Sequence, residues 1–494
     1  MKRIYLIILV AFSGFSGIIA QNVDDALRYS QVFYGGTARF MSMGGAFTAL
    51  GGDMSTLSQN PAGLGVFRSS EISITPQLFH INTESGFNGL SSDYLYNFNL
   101  NQAGIVSNLI SNKNENGLVA LNFGYSFNKT NNLNQSIRIK GIGIESSMAD
   151  SWADDNSYYN TYYTDLTGVA RLAYDAWVMD TITGSGGTSY GTAFSNYGDN
   201  SSVYGQSIKR LVSYEGYTGE HAISIGGNFS NKIFFGATLG ISRLKYTSHY
   251  EHLESTDAFL PSGLKSFTYT DHYENTGTGV SLKLGAIIKP VEALRIGFAF
   301  HSPTLYHINE YLYEDMSSNF TDGDHYDYSD TPSRYSYNLR TPFRALFGVA
   351  YQVKKIALLS ADYEFVDYST ARFSESGDNY DYSFKNEDIK TMLKLASNVR
   401  LGAEFRIDKL YLRTGYGYYG KAFKAGEDNQ DLSYNSISFG TGFRDKNVSI
   451  DFGYTRMMNS QNYIMYYSDA ETAAANLDIF KNMFTVTFGY KFGY

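Results

Sequence analysis

From about Glu71 to its end the chain alternates between large apolar and small or polar residues. The last stretch is Phe484-Thr-Val486-Thr-Phe488-Gly-Tyr490-Lys-Phe492-Gly-Tyr494. A strand sends successive side chains to opposite faces, so one face here is greasy and the other small and polar. The same pattern sets Leu121, Phe123, Tyr125 and Phe127 against Ala120, Asn122, Gly124 and Ser126. It returns in Ile223–Phe229 and Ile233–Ile241, separated only by Ser230-Asn231-Lys232. A greasy face that runs to a terminal aromatic reads as the closing strand of a membrane barrel, its apolar side towards lipid.

Tight turns at 230–232, 289–292, 353–355, 407–409 and 444–446 alternate with long polar stretches. Barrels of this type keep short turns on the periplasmic side and long loops outside. The outer loops are expected near 82–94, 141–217, 251–265, 307–333, 373–392, 422–432 and 460–477. The fold class predicted is all-β, a transmembrane antiparallel β-barrel of about 14 strands over residues 71–494, with both chain ends in the periplasm. The longest loop, about 141–217, holds Leu166, Val169, Ala170, Leu172, Ala173 and Trp177 at helical spacing. That helix either lies over the barrel mouth or packs on other loops.

Residues 21–70 break the alternation. They carry paired glycines and apolar residues, too many for a solvated tail. A compact plug inside the lumen, a hatch, would bury them, and a barrel of this size has a lumen wide enough to need one. Phe40, Met41, Met43, Phe47 and Leu50 are the candidates to line a ligand site there.

The N-terminus is expected to be a signal peptide, residues 1–20. Lys2 and Arg3 precede an apolar run from Ile4 to Phe12, and small residues lead to cleavage after Ala20. The run is too short to anchor in a bilayer. With no Cys, disulfides, thiolate metal sites and a lipidated N-terminus are excluded. The chain has 43 Tyr and 34 Phe but 2 Trp, a tyrosine load that suits the headgroup boundary. A net charge of −9 argues against nucleic acid.

Strings that look chemical lack their context. Gly187-Thr-Ser189-Tyr-Gly191 matches a nucleophile elbow but sits in a Gly/Ser-rich loop. Gly415-Tyr-Gly417-Tyr-Tyr-Gly420 matches a dinucleotide loop but lies within an alternating strand. The acidic stretches Asp322–Asp330 and Asp378–Tyr382 read as solvated loop tips rather than calcium sites. No enzyme, cofactor or metal is expected.

One segment carries a resemblance. Gly36-Thr-Ala-Arg-Phe-Met-Ser-Met-Gly-Gly-Ala-Phe-Thr-Ala-Leu-Gly-Gly-Asp53, followed by Leu57-Ser-Gln-Asn60-Pro61-Ala62-Gly63-Leu64, resembles the hatch of FadL/TodX-type outer-membrane transporters. Leu294–Pro303, Leu359–Tyr368 and Val399–Phe405 agree with it. The resemblance implies passive transport of hydrophobic small molecules such as long-chain fatty acids, caught among the outer loops. They would leave sideways where the third strand kinks inward near Asn60, Pro61 and Ala62. Gly124 is the kink candidate, since a strand-interior Gly marks a bend; a lumen Gly facing the hatch is the alternative. Arg39, Arg68, Lys283 and Arg295 are candidates to hold a carboxylate. The expected partners are the hydrophobic ligand, outer-membrane lipid and lipopolysaccharide, and the barrel-assembly machinery through the last strand. A different reading is a structural subunit of a larger outer-membrane secretion or assembly complex, whose loops bind protein.

Overall fold

The computed structural model describes residues 22–112, 116–195, 197, 203–377, 380–468 and 472–493; the stretch expected to be a signal peptide and Tyr494 lie outside them. Fourteen antiparallel strands form one ring: β1 (Ser70–Gly86), β2 (Leu90–Ser111), β3 (Leu118–Asn132, carried on by Gln135–Ile144), β4 (Gln206–Phe229), β5 (Ile233–Ser255), β6 (Leu264–Val291) and β7 (Leu294–His301, carried on by Leu305–Phe320). They continue as β8 (Ser333–Arg340 and Arg344–Val353), β9 (Ala357–Asp367), β10 (Leu395–Ile407), β11 (Leu410–Tyr419), β12 (Tyr434–Asp445), β13 (Val448–Tyr467) and β14 (Thr472–Phe492). The ring closes where β14 pairs with β1, from Ser70 against Phe492 to Gly86 against Asn476. Closure leaves no end strand exposed to lipid, which a membrane wall requires. The greasy faces point outward: Ile72, Ile105, Phe235, Phe298, Phe347, Phe452 and Phe488 are all exposed.

The short turns are built from residues that tolerate left-handed backbone. Ser230 and Asn231 both have positive φ (52° and 56°), as the two-residue turns that match strand twist require. Lys354, Asp408 and Lys446 do the same at three other turns. The outer loops are shorter than the pattern suggested, because the strands run on beyond the apolar belt with polar alternation. The 82–94 stretch is a tight hairpin, with β1 ending at Gly86 and β2 starting at Leu90. The long insertion begins only after Ile144 and ends at Gln206.

That insertion folds as helices α4 (Met148–Tyr158) and α5 (Gly168–Asp175) with a small ribbon, Met179–Thr181 against Tyr190–Thr192. It fills the outer end of the ring. Trp152, Leu172 and Phe194 join one apolar core with Phe79, Val212, Phe267, Met316 and Ile479 from the inner faces of five strands. Trp177, expected on the buried face, instead ends α5 with φ +57° and is exposed. The Asp150 carboxylate accepts the Ser147 N–H (2.7 Å), Thr192 Oγ1–H (2.9 Å) and Tyr204 O–H (3.0 Å). Burial pushes its carboxyl up to about 6. The docked insertion therefore holds a proton that the undocked chain releases near 3.8. Docking is strongest at the acid end and weakens as pH rises towards 6, then levels off. Amide exchange across α4, corrected for its intrinsic rate, is expected to be slower at pH 5 than at pH 7.5, with Asp150→Asn flattening the difference.

The segment 23–67 comprises α1 (Val23–Ser30), α2 (Ala38–Ser42), α3 (Thr56–Gln59) and a 3-10 turn, Pro61–Val66. Almost all of it is buried, including Phe40, Met43, Phe47, Leu57 and Leu64 at 0% exposure. Its contacts are the lumen faces of the strands. The Ala38 N–H donates to Thr487 Oγ1 (2.7 Å), Asn122 Nδ2 donates to Leu64 O (2.7 Å), and the Thr238 hydroxyl donates to Leu57 O (2.8 Å). At many of its closest approaches to the wall the wall residue is glycine. Gly226, Gly236, Gly285, Gly297, Gly348, Gly402, Gly415, Gly440 and Gly453 lie on nine of the strands, and a Cβ on any of them would run into this segment. The Gly415 string is thus a close-packing site in a strand, with Gly44 lying against it.

Candidate functional site

Two features of the sequence accompany the early end of the ladder between β2 and β3. Pro76 has no N–H to give its neighbour, and the ladder between β1 and β2 slips there, leaving Asn101 as an extra residue in β2. Asn101 and Gln102 are consequently both buried on the lumen side. The ladder between β2 and β3 then stops at Gln102–Asn128. Above that point β2 follows β1 out to Leu90, while β3 stays with β4.

The released edge of β3 is covered from inside by the N-terminal segment. Phe33 N–H donates to Thr130 O (2.7 Å) and Gly35 N–H to Lys129 O (2.8 Å). Asn101 Nδ2 donates to Gly36 O (2.6 Å) from the other side. Residues 33–36 therefore form a strap across the seam. Gly35 is needed there, because a Cβ would stand 2.6 Å from Lys129 O and 2.5 Å from Asn101 Oδ1.

Behind the strap lies a small cavity of about 60 Å³. Phe33, Tyr34, Met41, Phe79, Met457 and Met483 supply its apolar lining. Three cations also face it: Lys129, Arg400 and Lys481. Arg400 is 1% exposed, donates from Nη2 to Glu364 Oε2 (2.6 Å) and lies within reach of the Tyr419 hydroxyl. Its guanidinium lies 5.3 Å from the Tyr34 ring centre. The Lys129 ammonium sits 5.4 Å from the Tyr217 ring centre. Among the described residues no carboxylate stands beside Lys129 or Lys481. Buried cations without anions are costly, and an anion in the cavity would relieve them.

The basic residues singled out from sequence are committed elsewhere. Arg39 makes two hydrogen bonds to Glu404 (2.9 and 3.1 Å), and Arg413 shares that carboxylate. Lys283 pairs with Glu220 (2.6 Å) and donates to Ser58 O (2.7 Å). Arg295 donates to Leu50 O (2.6 Å). Arg68 is exposed beside Asn231 at a short turn and does not line the cavity. Of the five apolar candidates only Met41 reaches the cavity; Phe40, Met43, Phe47 and Leu50 pack the segment onto the wall with Leu346 and Ala299.

Gly124 is not a kink. It pairs in unbroken register with Val106 and Ser224, and the slips in β3 fall at Leu118–Ala120 and Lys129–Asn131. A Cβ there would be 2.7 Å from Leu57 Cδ2, so its smallness admits Leu57 and Leu64. The Asn60-Pro61-Ala62 motif faces β5 and β6 rather than β3. Asn60 Nδ2 donates to Thr48 O (2.6 Å), its Oδ1 accepts the Ala62 N–H (3.1 Å), and Pro61 starts the 3-10 turn against Gly236 and Gly285. Of the acidic loops, Asp378 and Asn379 lie outside the described residues. Ser189 of the elbow-like string precedes the ribbon strand Tyr190–Thr192.

The fold and this geometry can be set beside known proteins. The chain is similar to the toluene transporter TodX of P. putida: 13% identity, 93% of this chain and 99% of that one covered, TM-score 0.55. It is similar to a FadL homologue of Pseudomonas aeruginosa at 12% identity, with 94% and 100% covered and a TM-score of 0.57. A search of curated proteins finds no match. The model of the family described as outer membrane protein transport protein (OMPP1/FadL/TodX) matches residues 207–494. The chain belongs to this OMPP1/FadL/TodX family of outer-membrane transport proteins.

Proposed function

We propose that the protein carries acidic amphiphiles, such as long-chain fatty acids, from the outer surface into the membrane through the seam between β2 and β3, with residues 21–70 as the hatch. The observation that carries this reading is the set of Lys129, Arg400 and Lys481 around one cavity whose remaining lining is apolar and uncharged polar side chains. The head group sits against these cations, and the tail lies along Phe33, Met41, Phe79 and Met483. The strap Phe33–Gly36 is the gate, because two backbone hydrogen bonds and the Asn101 amide are what hold it over the seam. Leaving sideways spares the tail an aqueous passage, whose cost rises by about 0.8 kcal/mol per exposed CH₂.

The test separates the head group from the tail. Lys129→Met with Lys481→Met keeps the side-chain length and removes both charges. Uptake of a labelled long-chain fatty acid into liposomes is expected to fall by about tenfold or more, since each charge-assisted contact contributes about 1.5–3 kcal/mol. Uptake of toluene should stay near wild type. Equal loss of both substrates would point to a damaged barrel, and unchanged fatty-acid uptake would sink the acidic-ligand reading.

A further inference from the structure

The outer wall carries two arginines that the transport route does not use. β8 pairs at its upper end with a short strand, Arg372–Glu375, in the register Leu339 to Phe373 and Arg340 to Arg372. Leu339 and Phe373 are buried on the lumen side at 1% and 2% exposure. The next residues along each strand therefore face outward, so Arg340 and Arg372 stand opposite each other on the outside. Like charges in that position repel. Arg372 is held in place by the Ser369 and Ala371 carbonyls, which its Nη1 reaches at 2.6 Å each. Among the described residues no carboxylate forms an ion pair with either arginine.

The surroundings are those of a lipid. Across the ladder Arg340 faces Leu305, which is 62% exposed. Just below, β8 is interrupted between Arg340 and Arg344. The break brings Phe343 against Phe300 (ring centres 5.9 Å apart) and Phe365 (5.6 Å). The arginine pair thus crowns an aromatic, apolar floor. The short turns lie at the opposite end of these strands, so the pair sits at the outer edge of the apolar belt.

We propose that Arg340 and Arg372 bind the phosphate of an anionic membrane lipid in the outer leaflet, its acyl chain lying over Phe300, Phe343 and Leu305. Guanidinium donors on two residues facing each other across the ladder suit the oxygens of a phosphate, and a bound anion turns their repulsion into attraction. The lipid, rather than a free ion, is the occupant because the floor below the charges is apolar. The site depends on outer-membrane residence and not on what the barrel transports.

The test uses the full-length protein purified in a neutral detergent and titrated with diphosphorylated lipid A, the same lipid with its phosphates removed, and inorganic phosphate, read by native mass spectrometry. Wild type is expected to retain the diphosphorylated lipid. Arg340→Gln with Arg372→Gln should weaken it about tenfold or more while heat-modifiable gel migration stays normal. Should the double variant fail to insert, Arg340→Gln alone carries the same comparison, since its exposed side chain has no described partner to lose. Equal binding by the variant, equal binding of the dephosphorylated lipid, or displacement by inorganic phosphate at matched concentration would each overturn the proposal.

Discussion

Gly285→Val is expected to uncouple the N-terminal segment from the wall and turn a sealed barrel into a leaky one. The position has no freedom. A Cβ there would overlap Asn60 Oδ1 and come within 3.0 Å of the Ala62 N and Pro61 Cδ. Those atoms belong to a stretch fixed by its own bonds, Asn60 to Thr48 O and to the Ala62 N–H. Neither side can yield cheaply, and forced overpacking of this kind costs about 1–3 kcal/mol or more. The lipid-facing residues on β6, Leu284 and Ile288, are untouched, so the strand still inserts. The expected result is a barrel with normal heat-modifiable migration, raised conductance in planar bilayers, and rapid cleavage of the 22–67 stretch by added protease. Gly86→Ala, where a Cβ meets nothing nearer than 3.9 Å, is the matched control and should behave as wild type. A Gly285→Val barrel as tight as wild type would show that the contact between wall and segment is not what seals the lumen.

The second large effect is expected at the strap. Gly35→Val places a branched side chain between Lys129 O and Asn101 Oδ1, where even a Cβ has no room. The strap must then leave β3, which releases the Phe33 and Gly35 hydrogen bonds to the Thr130 and Lys129 carbonyls. Protection of the Phe33 amide from hydrogen exchange should be lost, while protection at Ala38, whose N–H donates to Thr487 on β14, and at Leu57, whose N–H donates to Met54 O, should persist. Under the proposed route the seam stands open, so fatty-acid release into the bilayer speeds up. Loss of protection without any change in release would leave the strap as packing and move the rate-limiting step elsewhere.

Much of this architecture was legible in the chain. Strand identity came from alternation that the lipid imposes on one face, and the closing strand came from an alternation that does not stop before the last residue. The lengths of the outer loops were misjudged for the same physical reason. Once β1, β2 and β13 leave the hydrocarbon, nothing demands a greasy face, and residues such as Asn82, Ser91 and Asn459 extend a strand without marking it. The site was harder. Arg400 and Lys481 sit on the small, polar face of their strands and could have been found by parity with Leu401 and Phe480. Lys129 could not, because counting from Phe127 puts it on the lipid face; only the slip at Lys129–Asn131 accompanies its place beside the cavity. Lys283 is a candidate from the polar face of its strand and Arg39 from the segment expected to be the hatch, but which such cation meets an acid depends on strands far away in sequence, as Glu404 and Glu220 show.

The ring closes between β14, the last strand to be made, and β1, which begins three residues after the buried segment ends at Phe67. A segment with no clearance from its wall cannot be threaded in afterwards. It is enclosed as the barrel forms, a passenger that must already be seated when the final strand arrives. Substitutions in residues 36–64 will therefore register first in the kinetics of assembly, as chains stalled before closure, and only later in the stability of those that finish.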